Sequence, residues 1–135
     1  MREIKFRGYD KFDKRWVYGY GLHQAVFIDG SSNAYVTAGT REVFIVDKES
    51  AGQYTGIKDY KGKEIYEGDI VEKEFMEPWI EDTKFIGIVK MIDGCWCVVN
   101  EKKKKSERLW TLWSETDVNR VIGNIYENPE LLEVK

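Results

Sequence analysis

One histidine, His23, and two cysteines, Cys95 and Cys97, are the side chains of this sequence best suited to hold a soft metal or to act as a nucleophile. Together they offer three zinc ligands. Structural zinc sites, however, take paired donors such as Cys-x2–4-Cys matched by a second pair, and a single Cys-x-Cys has no match here. On a strand, residues 95 and 97 share one face with Val99. There a free cysteine behaves as a small buried hydrophobe, so no metal is expected. A catalytic thiol needs a basic partner, and His23 is the only conventional one; nothing in the spacing brings it near.

Carboxylates are plentiful at Glu64, Glu67, Asp69, Glu72, Glu74, Glu77, Glu81 and Asp82. A glycosidase needs two of them across a cleft, ~5–10 Å apart and in unlike surroundings. Glu72 and Glu74 instead alternate with Val71, Lys73 and Phe75, the pattern of a solvated strand face. The glycines between Gly52 and Val71 fit neither a P-loop nor a strand–GxGxxG–helix unit. They read as turn and corner residues, with Lys61-Gly62 as a hairpin tip. No catalytic, cofactor-binding or metal residue is assigned, and the chain reads as not an enzyme.

Two features point to binding. Lys102-Lys103-Lys104-Lys105 could meet nucleic-acid phosphates; four such contacts would give a salt slope of about −3 to −4. Lysines at a hairpin tip also serve simply to stay solvated and discourage edge pairing, which is the preferred reading. The second feature is aromatic surplus. In RLWTLW, Trp110 and Leu112 face one way while Leu109, Thr111 and Trp113 face the other, so one side must find cover. Trp79, in a loop, adds to the set, and Trp79, Trp110 and Trp113 become the candidate interaction surface.

The elements that must place these residues are strands. Period-two alternation dominates, with 3–9 and 15–20 as a hairpin and Val26–Ile28, Tyr35–Thr37 and Val43–Val46 as further short strands. From residue 69 five strands follow: 69–76, 84–92, 95–100, 108–113 and 120–126. Asp93-Gly94 predicts a type I′ turn between the second and third. Ser114–Asp117 resembles a helix start, and Asn128–Leu132 a last helical turn with Pro129 at its first position. The expected fold is mostly β: an N-terminal β region, residues 1–60, packed on a C-terminal SH3-like five-stranded barrel, residues 61–135, with few helical turns.

The 135 residues, a net charge of −3 and 42% hydrophobic residues suit one domain or two small modules, with no global attraction to nucleic acid. The N-terminal MREIKFRGYDKFDKRW lacks the apolar core of a signal peptide, and no run is long enough to span a membrane. Free thiols fit a reducing cytoplasm.

Three stretches carry a resemblance: Met1–Arg7 (MREIKFR), Gly52–Gly56 (GQYTG) with Gly62–Val71 (GKEIYEGDIV), and Val121–Leu132 (VIGNIYENPELL). In this order they resemble the YopX family of small proteins encoded by phages and prophages, mainly of Gram-positive bacteria. The resemblance implies an SH3-like C-terminal part and self-assembly, and carries no biochemical activity. Residues 21–46 and 76–84 match no signature. The expectation is a cytoplasmic phage accessory protein that forms a homo-oligomer and presents a β surface to a host or phage protein. Nucleic-acid binding through Lys102–Lys105 is the alternative; no cofactor and no membrane are involved.

Overall fold

The computed structural model describes residues 3–76, 79, 84–114 and 117–133. Among the described residues the chain is built of antiparallel strands, with 3₁₀ turns at Lys48–Ser50, Lys105–Glu107 and Pro129–Leu132. It divides into two compact units, Met1–Gly56 and Ile57–Lys135.

The first unit opens with β1 (Phe6–Asp10) and β2 (Arg15–Gly19), paired from Phe6↔Gly19 to Asp10↔Arg15. Asp10 closes the hairpin, its Oδ1 accepting the backbone N–H groups of Phe12 (2.9 Å) and Asp13 (3.2 Å). A three-stranded sheet follows, β3 (Gly21–Val26), β4 (Ser32–Thr37) and β5 (Val43–Val46), in that spatial order. Its inward residues Ala34, Val36 and Val46 form the buried core with Val17, and Phe44 packs against it. β6 (Gly52–Lys58) starts in this unit, where Gln53 pairs with Phe6 of β1.

Sequence reasoning expects a strand at Val26–Ile28. The strand instead runs up to Val26 and ends there, and Phe27 and Ile28 belong to the turn. The GLHQA run has little β-branched content and gains its strand conformation from pairing with β4 across six residue pairs. The turn is closed by Phe27 N–H to Ser31 O (2.8 Å) and Gly30 N–H to Phe27 O (2.9 Å).

The second unit begins at the end of β6. Asp59 organises the turn through Lys63, its Oδ1 accepting the N–H groups of Lys61 and Lys63 at 2.9 Å each. Then come β7 (Glu64–Tyr66), β8 (Asp69–Phe75), β9 (Lys84–Ile92), β10 (Cys95–Val99), β11 (Leu109–Thr111) and β12 (Asp117–Asn124). The last five form one curled antiparallel sheet, a half-barrel, in the order β11-β10-β9-β8-β12. A meander whose final strand returns to pair with its first is the SH3-like order. Its core is Ile65, Val71, Phe75, Phe85, Val89, Val98 and Leu112.

Asp93 and Gly94 have φ of 50° and 80°, the two positive values that a type I′ turn requires, and β9 and β10 pair around them from Cys95↔Ile92. Gly68, with φ of 90°, makes the corner before β8, donating to Val89 O and accepting from Ile125 N–H. The glycine-rich segment is thus a joint. β12 starts earlier than the expected 120–126 and ends at Asn124, where a turn closed by Asn128 N–H to Asn124 O (2.8 Å) takes over. The expected helical turn at Ser114–Asp117 includes Glu115 and Thr116, which lie outside the described residues; Asp117 itself opens β12. Among the described residues no helix is long and apolar enough to cross a membrane.

Candidate interaction surface

The lysine run is the connection between β10 and β11, and it is folded. Lys102 Nζ is held by the Glu133 carboxylate, and its N–H donates to Asn100 Oδ1 at 3.0 Å. Arg108 Nε bonds the carbonyl of Lys103 at 2.8 Å, and Lys105 starts a 3₁₀ turn. Lys102, Lys104 and Lys105 are exposed, while Lys103 is half-buried. The four ammonium groups do not form one uniformly solvated tip.

The tryptophans divide as well. Trp110 lies against two core rings, 4.5 Å from the Phe75 centroid and 6.5 Å from that of Phe85. Trp79 and Trp113 stand out into solvent, 75% and 61% exposed. Leu112, by contrast, is fully buried, as the alternation in RLWTLW requires.

Cys97 is buried, and burial first, then Cys95, pushes its thiol above the ordinary range; Cys95 is exposed. The expectation that both cysteines bury with Val99 is corrected on this point, because Cys95 sits beside the Asp93-Gly94 turn, beyond the covered part of the sheet. Among the described residues no group of three or more His, Cys, Asp or Glu side chains is placed to hold a metal.

The residue that sequence reasoning passes over is Lys73. It lies on β8 between Val71 and Phe75 on the inward face and is completely buried. Its ammonium meets Asp117 Oδ2 at 3.1 Å and donates to Leu112 O at 3.2 Å. Asn119, opposite Lys73 on β12, donates to the same carbonyl at 2.8 Å. Burial holds the Lys73 pKa below the ordinary lysine value, and the bond to Asp117 only partly offsets it. The signal was present, since alternation puts this lysine on an apolar face, but its partner Asp117 is distant in sequence. The group ties β8 to both ends of the segment that carries Trp113.

The two units treat the outer faces of their sheets differently. On the half-barrel, Arg120 Nη1 bonds Glu72 at 3.2 Å and Glu74 at 2.9 Å, and Lys84 reaches Glu72 at 3.8 Å. The guanidinium also covers the Tyr60 ring at 4.9 Å. This face is finished with its own ion pairs.

On the three-stranded sheet of the first unit, the register sets His23, Tyr35 and Ile45 in one row and Gly21, Thr37 and Val43 in the next. With Ala25 and Asn33 these are the residues opposite the core face. None is aspartate, glutamate, lysine or arginine. Val43 and Ile45 are exposed. On this face Asn33 Nδ2 donates to the Tyr35 hydroxyl at 3.3 Å. Beside it, β3 runs out into three consecutive exposed apolar residues, Val26, Phe27 and Ile28. A groove of about 250 Å³ lies at the same end of the sheet, with Phe12, Ile45, Val46, Lys11, Asp47 and Lys48 among its lining residues.

This architecture has solved relatives. The family model described as YopX protein matches residues 5–133. The chain belongs to the YopX family. The crystal structure of YopX from Bacillus subtilis is similar over 100% of this chain and 99% of its own, with a TM-score of 0.56 and 25% identity. A crystal structure of a protein from Enterococcus faecalis covers 98% of this chain and 100% of its own, with a TM-score of 0.48 and 24% identity. No curated protein matches the chain. Family membership thus accounts for the shared fold of this YopX-family chain, and the function has to be argued from its surfaces.

Proposed function

We propose that this YopX-family chain is a self-associating protein-interaction module serving a phage or prophage in the host cytoplasm, and that a second copy docks on the outer face of β3–β4–β5. One observation carries the reading: a sheet face of His23, Tyr35, Ile45, Val43 and their neighbours holds no full charge, and His23, Val43 and Ile45 stand exposed on it. Antiparallel sheets that face water normally alternate to polar residues. Interface centres are depleted in charge and rich in aromatic and apolar side chains.

The occupant follows from charge. A two-fold contact sets the same patch against itself, so a patch of one net sign is repelled by its copy while an uncharged patch is not. The half-barrel face, with Glu72, Glu74, Lys84 and Arg120 already paired, is the poorer choice. Trp79 and Trp113 remain available to a host or phage protein, whereas Trp110 is engaged by Phe75 and Phe85. The nucleic-acid reading of Lys102–Lys105 is weakened by the engagement of Lys102 with Glu133.

Light scattering at micromolar concentration tests the proposal. The expected particle is a multiple of the 15.9 kDa chain, and Ile45→Lys lowers its mass. A wild-type particle of one chain's mass contradicts it.

A further inference from the structure

We infer that the Val26–Phe27–Ile28 tip of one copy seats in the groove between Phe12 and Lys48 of a second copy, and that the contact is reciprocal. This rests on the self-association just proposed and specifies how it is made.

The tip is a preformed knob. Val26 is 71% exposed and Phe27 47%, and Ile28 is fully exposed. Three successive apolar residues at a solvated turn expose surface at a cost of roughly 25 cal/mol per Å². The turn beneath them is rigidly closed: Asp29 Oδ1 accepts the Ser31 N–H at 2.9 Å and the Ser31 hydroxyl at 2.6 Å, and Gly30 takes φ of 88°. A tip already ordered loses little entropy on docking.

The groove matches it in size and charge. At about 250 Å³ it falls below the ~300–1,000 Å³ of pockets that hold drug-sized ligands, so it suits an apolar side chain better than a cofactor. Its apolar parts are Val46, Ile45 and Phe12. Its rim carries the Lys11 ammonium, 3.1 Å from Asp47, and the Lys48 ammonium, bonded to the Ser32 hydroxyl at 3.0 Å. With one carboxylate against two ammonium groups, the rim has a net positive charge. Asp29 follows Ile28 directly, so a knob that fills the groove brings a carboxylate to that rim. The chain carries both halves of the contact.

Placement makes the contact reciprocal. Ser32, which lines the groove, lies four positions after Ile28 on the same hairpin, and Ile45 lines the groove while also belonging to the uncharged face. A two-fold copy docked over that face therefore meets knob with groove twice. A knob meeting a distant groove would instead propagate into open chains.

The test is equilibrium sedimentation of four proteins whose changes are all at exposed positions. Ile28→Asp is expected to shift the particle to monomer with an unchanged thermal melt. Lys48→Glu is expected to raise the dissociation constant about tenfold or more, the scale of one close interfacial charge pair. Adding Asp29→Asn to Lys48→Glu keeps the oxygen that closes the tip, removes the repulsion and recovers part of the loss. If wild type is associated and Ile28→Asp remains so, the knob is overturned while self-association stands. If the double variant is no tighter than Lys48→Glu, the pairing of Asp29 with Lys48 is overturned. A monomeric wild type removes self-association and this contact together.

Discussion

The half-barrel and the three-stranded sheet are both small antiparallel structures, yet one is closed by its own side chains and the other is not. The half-barrel buries Leu112, Val89, Val98 and their neighbours completely and dresses its outer face with the Arg120–Glu72–Glu74 ion pairs. The sheet of β3, β4 and β5 rests on a core of Val17, Ala34, Val36 and Val46 and leaves an uncharged face opposite. A small β unit has too little interior to hide its apolar residues. Ion pairs finish part of the half-barrel surface; on the three-stranded sheet, where they are missing, the second copy proposed above would take their place.

The largest effect expected from this contrast is in the half-barrel core. Leu112→Ala removes a fully buried side chain and should cost about 2–5 kcal/mol, read by urea unfolding. A loss below about 1 kcal/mol would show that this core is not tightly packed, and the contrast would fail on its stronger side.

Next is Gly19→Ala in the first unit. A Cβ there would stand 2.2 Å from the Thr37 carbonyl oxygen, which is backbone and also accepts the Tyr20 N–H at 2.8 Å. The expected loss is about 1–3 kcal/mol, the range of overpacking. An unchanged melting curve would mean that the β2 and β4 ends move apart freely.

A smaller, pH-dependent effect belongs to Lys73. Its native pKa lies below the unfolded value of 10.5, so between the two the native state binds fewer protons. Unfolding free energy therefore rises as pH climbs through that window, is fully gained above 10.5, and is lost as pH falls through the native pKa. Urea titrations at several alkaline pH values, with Lys73→Met as reference, should show the extra upward slope in wild type only. Equal slopes would mean that the buried ammonium does not feel its surroundings.

The smallest effect on stability is expected at the uncharged face itself. Ile45→Lys should change stability by no more than about 0.5 kcal/mol, as exposed substitutions do, while changing particle mass. A large destabilisation would show that Ile45 supports the fold rather than a partner.

Much of this fold was legible because local chemistry specifies it. Asp93-Gly94 can hardly be other than a type I′ turn, and Pro129 starts a helical turn where its missing N–H costs nothing. Strand β3 was not legible, because Gly21–Val26 takes its conformation from β4. Without β3 there was no register to reveal the row of His23, Tyr35 and Ile45, so the sequence pointed to tryptophans instead. Of those, Trp79 and Trp113 are exposed, while Trp110 is engaged by Phe75 and Phe85 through contacts that span 25 to 35 positions of sequence. The proposed surface lies in residues 21–46, where the family resemblance carries no signature.

Hydrogen–deuterium exchange at two protein concentrations tests the central claim most directly, because it reads both units in one experiment. Residues 21–46 should become more protected as concentration rises, while 84–113 stay unchanged. Protection that is independent of concentration in 21–46, or that grows only in 84–113, would contradict the assignment of the first unit as the face that a second copy completes.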